Sequence, residues 1–346
     1  MGLMELSQRA RAVLAAVVRE HIQTGEAIGS RTLVRRQGLS QSPATVRNVM
    51  ADLEEQGFLR QPHTSAGRIP TDEGLRFFVD RLMKTRELTP AERQEILARY
   101  QLSNLELQEL LREVSRLLSD LSKQCALVLL PRTEGSVLKR IEFVSLRQGK
   151  MIAVLVMDSG LVLNRLVNVS ESFLPDELEK VHRYLNELCH GKSLSEVRHL
   201  VQQELEKEQN HYDELLSRAL HMGAQVLADP VEDEIVIEGQ SRLLDRPVAN
   251  DPEQMKALMR TVEEKKMILR LLDETIRGQG VQIFIGAETK EEEMRSCAMV
   301  AKAYGGQTPL GTLGVIGPSS MDYPRVVPLV DFTASILTEI LGGGER

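Results

Sequence analysis

The chain of 346 residues has no tryptophan, and its aromatic side chains make up only 3% of it. Cysteine is scarce as well. The three cysteines, Cys125, Cys189 and Cys297, lie far apart among apolar neighbours, and none belongs to a CxxC pair. Cysteines in this pattern are typical of free, buried thiols in a reducing compartment. The sequence therefore predicts neither a disulfide framework nor a metal site.

Long hydrophobic runs are also missing. The longest are strand-length, such as residues 152–157, so no segment is predicted to cross a membrane. The amino terminus lacks the basic, apolar and small-residue pattern of a signal peptide. We therefore expect a cytoplasmic protein with no membrane partner.

Motifs that would indicate an enzyme or a cofactor are incomplete. Residues 136–139 match S-x-x-K, but the companion motifs of that chemistry do not occur. Residues 278–283 begin like a dinucleotide fingerprint, but the final glycine is missing and a strand pattern follows. The sequence predicts no catalytic residues and no cofactor, and we do not expect an enzyme.

The acidic net charge of −7 is unevenly distributed along the chain. Residues 1–86 hold 13 Lys and Arg against 9 Asp and Glu, whereas the remainder holds 30 against 41. A basic amino-terminal part can bind phosphates, while an acidic body limits non-specific wrapping. The imbalance indicates that any nucleic-acid partner binds residues 1–86.

This basic part begins with three predicted helices. Apolar residues recur at helical spacing in residues 6–18. Ser30 is expected to cap a second, short helix, which Gly38 ends. The third helix begins with Ser42 as its N-cap and Pro43 in its first turn, and Gly57 ends it. The arrangement is that of a helix-turn-helix.

The third helix is the candidate recognition helix, because such helices contact bases with their amino-terminal residues. Arginine can chelate a guanine edge, and asparagine an adenine edge. The predicted contact residues are Ser42, Ala44, Thr45, Arg47 and Asn48. The alternative interpretation is that these side chains are only solvated, but the segment that follows favours DNA contact.

That segment is QPHTSAGRIPT, residues 61–71, which has the composition of a short basic hairpin. Pro62 and Pro70 stiffen its flanks because each ring fixes φ, and Gly67 gives the tip access to left-handed backbone. A basic hairpin after a recognition helix is typical of the wing of a winged helix. Its predicted DNA contacts are His63, Thr64, Ser65 and Arg68.

Further helices are predicted after the hairpin. Thr71 is expected to cap a fourth helix, on which Arg76 and Arg81 are expected to be solvated. Capping signals then predict helices at about residues 90–101 and 104–123. The second of these carries a leucine stripe that fits either its own sheet or a partner chain.

From Cys125 the pattern changes to short strands rich in Val, Ile and Leu, which are predicted to be consecutive antiparallel neighbours. Charged amphipathic helices with one strand occupy residues 173–278, and strands then return before a last helix. This order indicates an α+β fold with an insertion. The predicted domains are residues 1–86, a split domain of residues 87–172 and 279–346, and an inserted domain of residues 173–278.

The blocks SPATVRNVMADLEEQGFL and QPHTSAGRIPTDEG resemble the HrcA family of heat-inducible transcription repressors. The resemblance implies a winged helix-turn-helix domain, a GAF-like α+β domain, and a mostly helical dimerisation domain inserted within the latter. It implies a homodimer that binds an inverted-repeat operator, called CIRCE, at chaperone genes of the groE and dnaK type. The implied further partner is the GroE chaperonin, which helps such repressors reach their native state.

Two other functions are alternatives to a repressor of this kind. A small metabolite bound near the glycine-rich residues 305–317 would switch the DNA-binding part, although ordinary turns around a strand explain the same glycines. An enzyme that uses the amino-terminal part for targeting would need a clustered nucleophile, base or metal set, and the sequence has none.

Overall fold

The protein is described by a computed structural model that covers residues 6–63, 66–100, 107–131, 137–146, 149–158, 162–169, 173–208, 214–227, 235–243, 252–289, 291, 294–305 and 309–341. Its amino-terminal part, called the head, ends with a π-helical turn at residues 78–82. The head consists of α1 (Gln8–Thr24), α2 (Ser30–Gln37), α3 (Pro43–Glu55), β1 (Leu59–Arg60), β2 (Ile69–Pro70) and α4 (Asp72–Phe77).

The rest of the chain, called the body, has α+β structure. Its elements in chain order are α5 (Pro90–Tyr100), α6 (Leu107–Ser122), β3 (Cys125–Leu129), β4 (Val137–Ser145), β5 (Lys150–Met157), β6 (Val162–Asn168), α7 (Pro175–Cys189), β7 (Lys192–Ser193), α8 (Leu194–Glu208), α9 (Glu214–Leu227), β8 (Ile235–Glu238), α10 (Pro252–Glu263), α11 (Lys265–Arg277), β9 (Val281–Ile285), β10 (Cys297–Tyr304), β11 (Gly311–Pro318) and α12 (Tyr323–Leu341).

Local capping signals account for several helix starts. Ser42 and Thr71 each accept a hydrogen bond from the backbone N–H three residues later, at 3.1 Å. The Thr89 hydroxyl accepts from the backbone of Glu92, whose carboxylate accepts from the backbone of Thr89 at 2.9 Å. These three predicted N-caps are confirmed because each depends only on residues within one turn. The cap expected at Ser30 was wrong, since Ser30 is the first residue of α2 and Gly29 is its N-cap.

The larger sheet of the body has five antiparallel strands in the order β8–β3–β11–β10–β9. α6 and α12 cover one face of it, and α10 and α11 cover the other. The leucine stripe of α6 packs on this sheet and on α12, with Leu111, Val114 and Leu118 buried against Ala126 and Val128 of β3. Of the two alternatives for that stripe, its own sheet is confirmed.

The smaller sheet has the order β6–β5–β4–β7. α7 packs against β4, α9 packs against β6, and α8 packs on α9. Together these elements enclose a separate hydrophobic core, so residues 137–227 are called the inserted unit.

Two expectations about the body need correction. The first strand of the expected run, β3, does not pair with β4 but lies between β8 and β11. In addition, β8, α10 and α11 share a core with β3, and among the described residues that core includes none of the helices of residues 175–227. The division expected at residues 173 and 278 therefore does not coincide with the division into sheets and cores. Alternating apolar residues specify which face of a strand is buried but not which strand lies beside it.

All three cysteines are buried and free. Burial raises the pKa of Cys125 to about 12 and that of Cys189 to about 11, which keeps both thiols protonated and unreactive. Within the described ranges, every helix falls short of the length and apolarity that a bilayer crossing requires.

Candidate nucleic-acid interface

The start of α3 is held by side chains that the sequence singled out. The Ser42 hydroxyl accepts the backbone N–H of Thr45, and the two hydroxyl oxygens lie 3.0 Å apart. Pro43 occupies the first turn, where its missing N–H costs no hydrogen bond. The first turn of α3 is therefore fixed before any ligand binds.

One side of α3 is buried and the other is open. Val46, Met50 and Leu53 are at most 1% exposed and anchor the helix in the head. The open side presents Ala44, Arg47 and Asn48, while Thr45 is half-buried beside Ser42. In the described part of the chain, neither Arg47 nor Asn48 has a hydrogen-bond or ion-pair partner. Their donors and acceptors remain available to a ligand.

The predicted wing is a two-stranded hairpin. Leu59 pairs with Pro70, and Arg60 pairs with Ile69, in antiparallel register. At the tip, the N–H of Ala66 donates to the carbonyl of His63 at 2.8 Å, which closes a turn. The His63 side chain is exposed, whereas Thr64 and Ser65 lie outside the described residues. The hairpin projects beside the carboxyl-terminal end of α3.

Arg68 is less free than the sequence suggested. Its backbone pairs with Ile28 through two hydrogen bonds of 2.9 Å, which form an isolated antiparallel bridge next to the hairpin. Its side chain is only 17% exposed, and Nε donates to Glu54 of α3 at 2.8 Å. Glu54 is thus a functional candidate that sequence reasoning missed, since no local pattern links residues 14 positions apart. The pair locks the hairpin to α3.

The role expected for Gly67 also needs correction. The structure does not place it among the glycines with left-handed backbone. Instead, a Cβ atom at this position would lie 2.3 Å from the carbonyl carbon of Ile28. Glycine is required here because two backbone segments approach closely, and this contact is non-local.

Other basic residues lie on the elements that pack against α3. Arg31 and Arg35 on α2 and Arg60 on β1 are exposed.

Glu20 of α1 is buried and pairs with Arg36 of α2 at 2.5 Å. Burial alone raises the pKa of Glu20, but hydrogen bonds from α2, including that of Arg36, outweigh it and hold the pKa below its usual value. The ion pair fixes α2 against α1.

Three helices followed by a two-stranded hairpin, with an open helix face beside basic side chains, form an arrangement that the class of DNA-binding transcription regulators uses. The body matches the family model described as the HrcA protein C terminal domain over residues 108–327. The chain therefore belongs to the HrcA family of heat-inducible transcription repressors.

Comparison with individual proteins supports the same assignment. The heat-inducible transcription repressor HrcA of Geobacter sulfurreducens is 43% identical over 342 residues, covering 99% of this chain and 100% of that relative. The HrcA repressor of Syntrophobacter fumaroxidans is also 43% identical, covering 98% of both chains. A crystal structure described only as that of a hypothetical protein has the same fold, with a TM-score of 0.71 and 24% identity over 98% of this chain and 99% of that one.

Proposed function

We propose that this protein is a sequence-specific repressor of groE- and dnaK-type chaperone genes that binds an inverted-repeat operator of CIRCE type as a homodimer. The observation that carries the proposal is the open row of Ala44, Arg47 and Asn48 on a helix whose opposite side is buried. A rigid row of side chains with unused donors and acceptors fits the floor of a major groove.

Each residue of α3 has a role that follows from its chemistry. Arg47 chelates a guanine edge, Asn48 reads an adenine edge, and the Ala44 methyl group packs against a thymine methyl. Ser42 and Thr45 shape the first turn, where the two exposed or half-exposed hydroxyls suit a phosphate. Ala44, Arg47 and Asn48 then provide the sequence specificity. Ser42 and Thr45 fix the position of the helix along the DNA.

The hairpin adds contacts outside that groove. His63, with Thr64 and Ser65 beside it, contacts the phosphate backbone or the minor groove. Arg68 uses Nε for Glu54 and directs its remaining N–H groups at a phosphate. The exposed basic residues of α2 increase the salt-dependent part of the affinity.

We propose the following layout for the whole chain. Residues 1–86 form the winged helix, and the five-stranded sheet with its helices forms the GAF-like domain. The inserted unit, residues 137–227, takes the place of residues 173–278 as the dimerisation domain. In support, it is the part of the described body whose sheet has one face without covering helices.

That uncovered face is the proposed dimer contact. Cross-strand pairs align Val144 with Ile152 and Leu166, and Val156 with Val162. We call these five residues the open face. Leu166 is 57% exposed and Val144 is 50% exposed, although both are large apolar side chains on regular strands. An apolar patch of this kind marks a protein interface.

A second copy of the chain is the occupant that fits this face. Two-fold symmetry places the same patch on both subunits, so one apolar surface covers the other. The same symmetry supplies two heads for an inverted repeat, whose half-sites lie about 34–36 Å, or multiples of it, apart. The dimer would act in the cytoplasm, and no cofactor enters the proposal.

Regulation is proposed to work through the natively folded fraction. Domains are only marginally stable, so about 1–2 kcal/mol changes the native fraction several-fold. A chaperonin of GroE type that helps the repressor fold would couple spare folding capacity to repression. Heat reduces both, and the chaperone genes are then transcribed.

Selection of bound fragments from random duplex DNA tests the proposal. We expect a palindromic consensus, because two symmetric heads select two inverted half-sites. Folded protein that recovers no enriched sequence, and that does not shift any duplex even at low salt, would overturn it. Circular dichroism on the same preparation establishes that the protein is folded.

A further inference from the structure

The head contacts the body through α4, at a point well away from α3. α4 begins directly after the hairpin, and its outer side meets the 3₁₀ turn of residues 286–289 at the end of β9. Arg76, expected to be solvated, is instead the centre of this contact and is only 30% exposed.

Arg76 makes a bidentate contact across the junction. Its Nε lies 2.8 Å from one carboxylate oxygen of Glu288, and its Nη2 lies 2.5 Å from the other. Nη2 also donates to the carbonyl of Ile283 at 2.6 Å. The hydrogen bonds that Arg76 donates to the Glu288 carboxylate raise the pKa of Arg76, so the guanidinium keeps its charge. The planar fork fixes direction as well as distance.

A second contact lies one turn earlier on α4. The carboxylate of Asp72 accepts the backbone N–H of Ala287 at 2.9 Å. Gly286 has a φ of 52° and approaches so closely that an added Cβ atom would lie 2.2 Å from Asp72 Oδ2. The left-handed backbone and the close approach both require glycine here.

α4 is also tied firmly to the DNA-binding elements. The Thr71 hydroxyl donates to the carbonyl of Gly57, just after α3, at 2.6 Å. Thr71 N–H donates to the carbonyl of Phe58 at 3.1 Å, and a Cβ atom on Gly74 would lie 2.1 Å from that same oxygen. A rigid path therefore runs from the end of α3 through α4 to the body.

We propose that Asp72, Arg76, Gly286 and Glu288 form a latch that sets the direction of the recognition helix relative to the dimer axis. These four are positioning residues and do not touch DNA. The inference rests on the proposed function, because only a two-headed protein on an inverted repeat needs its heads aimed at a fixed spacing. If this contact is broken, one head can still bind one half-site. The second head is then no longer held over the other half-site.

The physical consequence is a loss of effective concentration. When the first head is bound, a latched body presents the second head at its groove, whereas a loose head samples many orientations. The latch should thus raise affinity for a correctly spaced inverted repeat and leave affinity for a single half-site unchanged. It should also sharpen the preference for one spacer length.

The test compares two duplexes, one with a full inverted repeat and one with a single half-site. Glu288→Gln keeps the shape but removes the charge, and Gly286→Ala disrupts the contact from the body side. We expect each to weaken binding to the inverted repeat roughly tenfold, to leave half-site binding unchanged, and to tolerate altered spacers. Asp80→Asn is the matched control, since Asp80 contacts Arg76 at 3.5 Å within the head.

The outcomes separate the latch from the proposed function. If the native protein binds no DNA, the proposed function fails. If it prefers the inverted repeat but both variants match it on every duplex, the latch is refuted. An equal loss of affinity for both duplexes also refutes the latch, because the residues would then stabilise the fold of the head and not its direction. Arg76→Glu combined with Glu288→Arg should recover spacer preference.

Discussion

Two surfaces of this protein are left uncovered by its own described chain, and they differ in chemistry. The open side of α3 presents Arg47 and Asn48, whose hydrogen bonds are directional. The open face of the inserted unit presents side chains such as Val144 and Leu166, which have no polar atoms. The first surface suits a partner with a fixed pattern of donors and acceptors, and the second suits another apolar surface.

The two surfaces also depend differently on geometry. Apolar burial is non-directional and scales with area, so the open face requires only a complementary shape. Base reading requires each donor to stand within hydrogen-bond distance, so α3 must be held rigidly. Accordingly, caps, an ion pair and close backbone contacts surround α3. The need for fixed geometry explains why α3 is held by such directional contacts.

The substitution with the largest expected effect disrupts the open face. Leu166→Asp places a charge within the proposed dimer contact, where desolvation without a partner is costly. We expect monomers by sedimentation and a fall of about 100-fold or more in affinity for an inverted repeat, as the second head is lost. Leu97→Asp, at an exposed leucine of α5, is the control. A dimer that survives Leu166→Asp with full affinity would show that the contact lies elsewhere.

The substitutions with the next largest expected effect alter the open side of α3. Arg47→Ala and Asn48→Ala each remove a base contact, and each should cost about 1–3 kcal/mol of binding free energy while relaxing preference at one base pair. Gel-shift titrations on operator variants measure both quantities. Glu55→Gln, on the exposed far end of α3, should not weaken binding. Unchanged operator affinity in both alanine variants would mean that α3 is not the recognition helix.

A smaller effect tests how rigidly the hairpin is held. Gly67→Ala forces a Cβ atom against the backbone of Ile28 and should cost roughly 1–3 kcal/mol of folding stability in the head. Gly29→Ala is the matched control, since a Cβ atom there meets nothing within 4 Å. Urea unfolding followed by DNA titration separates stability from affinity. Equal stability of the two variants would contradict the close approach.

The smallest effect concerns pH in the inserted unit. His182 accepts the N–H of Phe143 through Nε2 at 2.8 Å, which only a neutral ring can do. Burial lowers the pKa of His182 from its usual value of 6.5. The positive charge of Arg140 also lowers this pKa, whereas the negative charges of Glu142 and Glu179 raise it but do not outweigh the burial. Its stabilising contribution is therefore present above pH 6.5 and is lost as the pH falls through the lowered pKa.

Urea unfolding between pH 5 and pH 8 checks this sign. His182→Gln keeps an acceptor for Phe143 and should flatten the pH dependence, whereas His221→Gln, on the exposed side of α9, should not. An unchanged pH profile in His182→Gln would show that another group titrates.

Helix positions and caps were predictable because their causes are local. The Ser42, Thr71 and Thr89 caps were expected from the sequence and are present, and the helices begin within a few residues of their expected starts. The row of Ala44, Arg47 and Asn48 also follows from helical periodicity once the buried stripe is known. Whether these residues contact DNA stays a prediction.

The errors share a different cause. β3 was placed beside β4, Gly67 was credited with left-handed backbone, and Arg76 was taken for a solvated residue. Each depends on a neighbour distant in sequence, such as the 212 positions that separate Arg76 from Glu288. Periodicity and capping signals carry no information about such neighbours.

The sequence by itself determined where this chain is helical, which side of each helix is apolar, and where basic charge accumulates, because those properties depend on residues within one or two turns. The tertiary structure alone decided which strands are neighbours, which apolar face stays open, and how α4 joins the head to the body. Those outcomes depend on contacts between segments that are distant in sequence. The folded chain adopts the arrangement that leaves the fewest polar groups unpaired and the least apolar area uncovered.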